Sequence, residues 1–193
     1  MSRHSPATKG QALWLMFAGT LMFGFVLGWR FWLKPEIEET SASAAALAAN
    51  APQYGAFTGQ TGPDFRLPTL GGGTATLGEH RRHRVLLNFF ASWCDACRKE
   101  MPGVQAQAEK HAAHDWVVLG VNVMEDRDTA LAFRDEFELT FPILLDERGL
   151  VTRLYLVTGT PTNLFINRDG VIVERQLGYM SEADIAAIIE RVP

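Results

Sequence analysis

The hydrophobic pattern of the chain changes character twice before it settles into a globular rhythm. Ala12 to Trp29 is an apolar run without a charged residue, and Phe31-Trp32-Leu33 extends it past Arg30. A hydrocarbon core of about 30 Å needs about 20 apolar helical residues, so residues 12–33 predict a single transmembrane helix, with Trp14, Trp29 and Trp32 near its ends where interfacial aromatics sit. Arg3 and Lys9 precede this segment and Arg30 and Lys34 follow it, so the positive-inside balance is nearly even. The short leading tail, residues 1–11, is read as cytoplasmic and the C-terminal body as exported. A cleaved signal peptide is the rival reading, because Ala42-Ser43-Ala44 offers a small-residue site, though far beyond the apolar segment. Residues 34–56 turn acidic at Glu36, Glu38 and Glu39 and then Ala/Ser-rich, which predicts a flexible linker.

From residue 57 to 193 short apolar runs alternate with helical patterns. Phe65-Arg66-Leu67-Pro68 and Thr74-Ala75-Thr76-Leu77 flank three glycines and predict a hairpin, with Pro68 on an edge strand. Val85 to Ala91 is a nearly continuous apolar run, as expected of a strand buried on both faces. A helix follows from Arg98 to about His111. Trp116 to Val123 predicts a second buried strand, and Asp126 or Asp128 can cap a helix to about Glu138. Phe141 to Asp146 predicts a third strand, followed by a short helix through Val151 to Leu156. Thr162–Asn167 and Val171–Gln176 predict a hairpin turned at Arg168-Asp169-Gly170. Ser181-Glu182-Ala183-Asp184 resembles a capping box opening a last helix to Arg191. Strands alternating with helices and closing on a hairpin predict an α/β domain, a mixed central sheet flanked by helices, with the first hairpin as an N-terminal extension.

A net charge of −4 over 193 residues carries no electrostatic footprint for nucleic acid. The basic run Arg81-Arg82-His83-Arg84 reads as a solvated loop before a strand, and the triplet Gly71-Gly72-Gly73 precedes no helix and predicts no phosphate cradle. The chemistry concentrates in Trp93-Cys94-Asp95-Ala96-Cys97, which holds both cysteines of the chain at a strand-to-helix junction. A thiol at a helix N-terminus meets unpaired N–H groups and the positive end of the dipole, both favouring thiolate, so Cys94 is the expected nucleophile. Cys97, one turn on, is placed to resolve a mixed disulfide formed there. A static staple would close a loop of only two intervening residues and constrain little. A zinc site built with His111 and His114 would have its histidines one residue too close for a finger. Asp95, anionic beside Cys94, opposes the dipole and tunes the pair toward the reducing side.

Trp-Cys-x-x-Cys, the buried strand before it and Gly159-Thr160-Pro161-Thr162 together resemble the thioredoxin-like fold, and more narrowly its membrane-anchored TlpA/ResA/CcmG branch. Pro63-Asp64-Phe65 with Leu67, and Leu87-Asn88-Phe89-Phe90-Ala91-Ser92-Trp93-Cys94, are similar to that branch's opening motif and active-site strand. The resemblance implies that Thr160-Pro161 is a cis bond beside the disulfide, and that Trp93, Thr160 and Pro161 line the substrate groove. It implies that Pro102 kinks the active-site helix. Thioredoxins proper carry a buried Asp where this chain has Asn88, which cannot take a proton. The branch instead implies Glu125 as the acid/base serving Cys97, unless it is a solvated helix-start carboxylate. It also implies Glu100 as a tuner of the thiols, unless that residue merely faces solvent.

The resemblance further implies a thiol–disulfide oxidoreductase with no cofactor and no metal, on the periplasmic side of a bacterial inner membrane. It would reduce exported proteins, with apocytochrome c as a candidate substrate and an integral-membrane thiol relay as electron donor. Other readings use the same residues: an oxidant or isomerase with the resting state reversed, or a non-catalytic thiol- or copper-binding module. A peroxidase of the peroxiredoxin kind would need Thr three positions before Cys94, where this chain has Ala91.

Overall fold

The computed structural model describes residues 53–112 and 115–193. The segments expected as tail and anchor, and residues 34–52 of the linker, lie outside them, as does His114. Among the described residues no helix is long and apolar enough to cross a membrane. The described residues fall within one compact unit.

The chain opens with a two-stranded antiparallel hairpin, β1 (Arg66–Pro68) and β2 (Thr74–Thr76), and a single 3₁₀ turn at Gly78–His80. There follow β3 (Arg84–Phe90), α1 (Asp95–His111), β4 (Trp116–Val123), α2 (Arg127–Glu136), β5 (Ile143–Asp146) and α3 (Leu150–Leu154). The chain ends with β6 (Thr162–Ile166), β7 (Ile172–Leu177) and α4 (Glu182–Arg191). Five strands form one mixed sheet in the order β5-β4-β3-β6-β7. β3 runs parallel to β4 and β4 to β5, whereas β6 is antiparallel to both β3 and β7.

Strand side chains alternate between faces, and both faces of this sheet are covered. Val85, Leu87 and Phe89 of β3 join Leu119, Val121, Leu164 and Ile166 beneath Phe65 and Leu67 at the hairpin, Val151 of α3 and Tyr155, which caps the C-terminus of α3. Leu86 and Phe90 point the other way, against Met101 and Val104 of α1, Phe133 of α2, and Ile185 and Ile189 of α4. Double coverage is why the central strands read as unbroken apolar runs. It also fixes Gly120 in β4, where a Cβ would lie 2.9 Å from Phe141 Cε2 and 3.1 Å from Phe90 Cε1.

Local chemistry closes the helix ends. Asp126 Oδ1 accepts the Thr129 N–H at 2.8 Å at the start of α2, and Ser181 with Asp184 completes a capping box at α4. The Tyr155 hydroxyl donates to the Pro63 carbonyl at 2.6 Å, tying the opening segment to α3, and burial pushes its phenol pKa well above the ordinary value. Arg175 of β7 donates to the carbonyls of Ala56, Tyr155 and Leu156 at 2.9–3.0 Å. Two details differ from expectation. The active-site helix begins at Asp95 and not Arg98, because Cys94 itself serves as its N-cap. Arg84 is no part of a solvated loop: it opens β3, donates to Val192 O at 3.1 Å and lies 5.2 Å over the Trp116 ring, while Arg81, Arg82 and His83 are exposed.

Candidate active site

Strand β3 delivers the chain into the loop Ala91–Trp93 at the edge where the parallel strands end, and α1 starts immediately beyond it. Cys94, extended at φ −85° and ψ 106°, caps α1 and its Sγ accepts the Cys97 N–H at 3.1 Å. Cys97 lies in the first turn, and the two are joined by a disulfide across a Cα separation of 5.2 Å. Cys97 is fully buried and Cys94 nearly so, whereas Trp93 beside them is 71 % exposed. Asp95 is exposed in the first turn of α1. Cys94 Sγ sits 3.3 Å from the Thr160 carbonyl oxygen, and the Thr160-Pro161 bond is cis, as the resemblance implies. The Thr160 hydroxyl oxygen is buried without a hydrogen-bond partner among the described residues.

Two carboxylates flank this loop in different ways. Glu125, just after β4, is half-buried and does not hang free at a helix start. Its Oε2 accepts the Ser92 N–H at 2.9 Å and the Asn122 amide at 2.6 Å, while its Oε1 accepts the Ser92 hydroxyl. Glu100 of α1, one turn past Cys97, is 2 % exposed, so the alternative that it faces solvent is corrected. Its Oε1 accepts the amides of Asn88 at 3.0 Å and Asn163 at 2.7 Å, and its Oε2 accepts the Met180 N–H at 2.9 Å. Burial raises the Glu100 pKa above the ordinary carboxylate value, and these three hydrogen bonds draw it partly back. Asn88 also donates to Asn163 Oδ1 at 2.7 Å, which leaves its own Oδ1 buried and unpaired.

Asn163, Asn122 and Ser92 are the members of this constellation that the sequence reasoning did not single out. The signal for Asn163 was a polar residue inside the otherwise apolar strand β6, where burial demands a partner. Pro102 lies inside α1. In this structure the two sulfurs that the zinc alternative would use are bonded to each other. His111 ends α1 and His114 lies outside the described residues, among which no group of three or more His, Cys, Asp or Glu could hold a metal. Chemically the arrangement offers a disulfide at a helix N-terminus, an exposed approach beside Trp93, a cis-proline backbone at Thr160 and two carboxylates, one buried and one half-buried.

Comparison with known proteins gives consistent answers. Residues 58–175 match the AhpC/TSA family. The chain is 36 % identical over 136 residues to the thioredoxin-like protein YneN of Bacillus subtilis (strain 168), covering 69 % of this chain and 79 % of that one. It is 34 % identical over 134 residues to the thiol-disulfide oxidoreductase ResA of Geobacillus kaustophilus (strain HTA426), covering 69 % and 77 %. Among solved structures, a thiol:disulfide interchange protein DsbE from Chlorobium tepidum superposes with a TM-score of 0.65 at 30 % identity, over 70 % of this chain and 95 % of that chain. StoA from Bacillus subtilis superposes with a TM-score of 0.58 at 26 % identity, over 65 % and 95 %.

Proposed function

Because the chain belongs to the AhpC/TSA family and is a thiol–disulfide oxidoreductase similar to ResA and DsbE, we propose that it works as a membrane-tethered reductant of disulfides in exported proteins. Its electrons come from an integral-membrane thiol donor. The observation that carries this reading is the Cys94–Cys97 disulfide capping α1 beside the cis Thr160-Pro161 bond.

In the reduced protein the Cys94 thiolate is stabilised by the Cys97 N–H and the positive end of α1. It attacks one sulfur of the substrate disulfide, held as an extended chain between Trp93 and the Thr160-Pro161 backbone. A Cys94–substrate disulfide forms and the second substrate sulfur leaves as a thiolate. Cys97 then loses its proton, with Glu125 as base, and attacks Cys94. The Cys94–Cys97 disulfide closes and the first substrate thiolate departs, so two electrons have passed from the pair to the substrate. Glu100, its proton affinity lifted by burial, sets the electrostatic background one turn below Cys97. Asp95, exposed next to Cys94, raises the energy of the thiolate and keeps the pair on the reducing side. Residues 12–33 anchor the domain to a bacterial inner membrane, facing the periplasm, and a linker over 34–56 raises its effective concentration near a membrane donor. Apocytochrome c, with its paired haem-site cysteines, is the candidate substrate.

The test is a trap. The full chain carrying Cys97→Ser cannot resolve the mixed disulfide, so its partners stay linked to Cys94 and are identified after non-reducing separation. Linked exported proteins, apocytochrome c among them, support the proposal. The same adducts in a Cys94→Ser, Cys97→Ser control, or only cytoplasmic partners, overturn it. Peroxide reduction is disfavoured because the position three before Cys94 is the buried, hydroxyl-free Ala91.

A further inference from the structure

Exposed apolar side chains are ordinary when scattered singly, but on one flank of the reactive edge they are neither single nor cheaply placed. Met124 is 60 % exposed, Leu150 50 %, Leu154 44 % and Leu156 53 %. Two of them stand where the backbone is left-handed, Met124 at φ +55° and Leu156 at φ +50°. Glycine occupies that region freely, and a large apolar residue does so at a cost. Backbone strain that displays a side chain to water, when a glycine there would relieve it, points to a use for the side chain.

The two positions bracket α3, and the chain links both to the disulfide. Met124 precedes Glu125, whose carboxylate holds the backbone and hydroxyl of Ser92, next to Trp93. Met124 also reaches the start of α3, since a Cβ on Gly149 would stand 3.0 Å from its Sδ and 3.2 Å from Arg153 Nη1. Leu150 and Leu154 lie four apart, on one side of α3. Leu156, whose carbonyl is held by Arg175, leads in four residues to Thr160, whose carbonyl oxygen lies 3.3 Å from Cys94 Sγ and whose bond to Pro161 is cis. Arg153 is exposed and makes no ion pair among the described residues. An unpartnered cation amid leucines and an adaptable methionine favours an apolar segment that carries a carboxylate.

We propose that Met124, Leu150, Leu154 and Leu156, with Arg153 among them, continue the Cys94/Pro161 groove along α3 as a docking surface for unfolded protein substrates, and select those whose reactive cysteine is flanked by apolar and acidic residues. The proposal rests on the oxidoreductase reading above and names its substrate class. A substrate polypeptide is the occupant because β3, β4 and β5 end and β6 begins at one sheet edge, so these side chains flank the edge at which the substrate's disulfide must meet Cys94, and because Arg153 there pairs with no carboxylate among the described residues.

The test uses the full chain with Cys97→Ser and two peptides of equal length, each with one cysteine disulfide-bonded to thionitrobenzoate. Leucine and glutamate flank the cysteine in one, serine and lysine in the other. Cys94 attacks the peptide sulfur, the bond to thionitrobenzoate breaks, and that group leaves as its thiolate. The readout is the ratio of the two rate constants for forming the peptide adduct, which cancels any change in Cys94 itself. Partial burial of two large apolar side chains corresponds to a ratio of about tenfold in favour of the leucine peptide. The ratio should fall toward one in Met124→Gly, Leu156→Gly, whose backbone suits glycine and whose melting temperature should not drop. It should fall also in Arg153→Glu. A ratio near one in the parent, as a surface serving a membrane or a second copy would give, overturns the proposal, as does a ratio the variants leave unchanged. If neither peptide reacts but the free thionitrobenzoate disulfide does, the docking surface is wrong. If no disulfide reacts, the oxidoreductase reading falls and takes the surface with it.

Discussion

Replacing Asn163 with leucine, which is close in volume but cannot donate a hydrogen bond, should destabilise the protein by an amount that depends on pH. Asn163 is fully buried on β6 and gives its amide to Glu100 Oε1 at 2.7 Å, leaving Asn88 and the Met180 N–H as the remaining donors once it is gone. A hydrogen bond to a charged group contributes about 1.5–3 kcal/mol and one between neutral groups about 0.5–1.5 kcal/mol. The variant should therefore lose about 1 kcal/mol where Glu100 is protonated and about 2–3 kcal/mol where it is ionised, apart from a packing cost common to both. The sign follows from the direction of the shift. The folded Glu100 pKa lies above its unfolded value, so the folded state holds the proton more tightly. Its contribution is fully present below the unfolded value and is lost as pH rises through the folded value. Asn163→Leu lifts the folded value further, by about one unit for each 1.4 kcal/mol, and deepens that loss. Urea unfolding of the oxidised parent and variant at about pH 4 and about pH 8 measures it, since the other carboxylates cancel in the difference between the two proteins. A destabilisation larger at the higher pH by about 1–2 kcal/mol is expected. An equal destabilisation at both would mean that Glu100 does not ionise against this amide.

Other consequences follow from the same geometry. Asp95→His should raise the reduction potential of the pair by roughly 10–30 mV, less at high salt; an unchanged potential at low salt contradicts the electrostatic role given to Asp95. Glu125→Gln should slow release of the substrate mixed disulfide by about 10²-fold or more while leaving its formation nearly intact. If Glu100→Gln slows that step and Glu125→Gln does not, the proton of Cys97 travels through the buried carboxylate instead. Gly120→Ala should cost about 1–3 kcal/mol by chemical denaturation, because its methyl would press on Phe141 and Phe90; a neutral result would mean the two rings can move apart freely.

Much of this fold was legible because its physics is local. The apolar runs of β3 and β4, the turn at Arg168-Asp169-Gly170 and the Ser181 capping box each carry their signal within a few residues, and the elements fall where those signals put them. The Cys94–Cys97 pair was legible for the same reason, since two residues of spacing at a strand-to-helix junction define its geometry. Glu100 was half-legible. Cys97, Glu100, Met101 and Val104 share one buried face of α1 at helical spacing, so its period already argued against solvent. Its partners were not legible, because Asn163 stands 63 positions away and meets Glu100 only through the β3–β6 register that pairs Asn88 with Asn163. The Ser92 contacts of Glu125 span 33 positions and were hidden likewise.

The measurement that tests the central claim most directly is the reduction potential of the Cys94/Cys97 pair, obtained by equilibrating the full chain against a thiol redox buffer. A value below roughly −200 mV is predicted, placing the pair among reductants that depend on a dedicated electron donor in an oxidising compartment. A value near about −120 mV would make it an oxidant and contradict both the direction of electron flow and the role of Asp95.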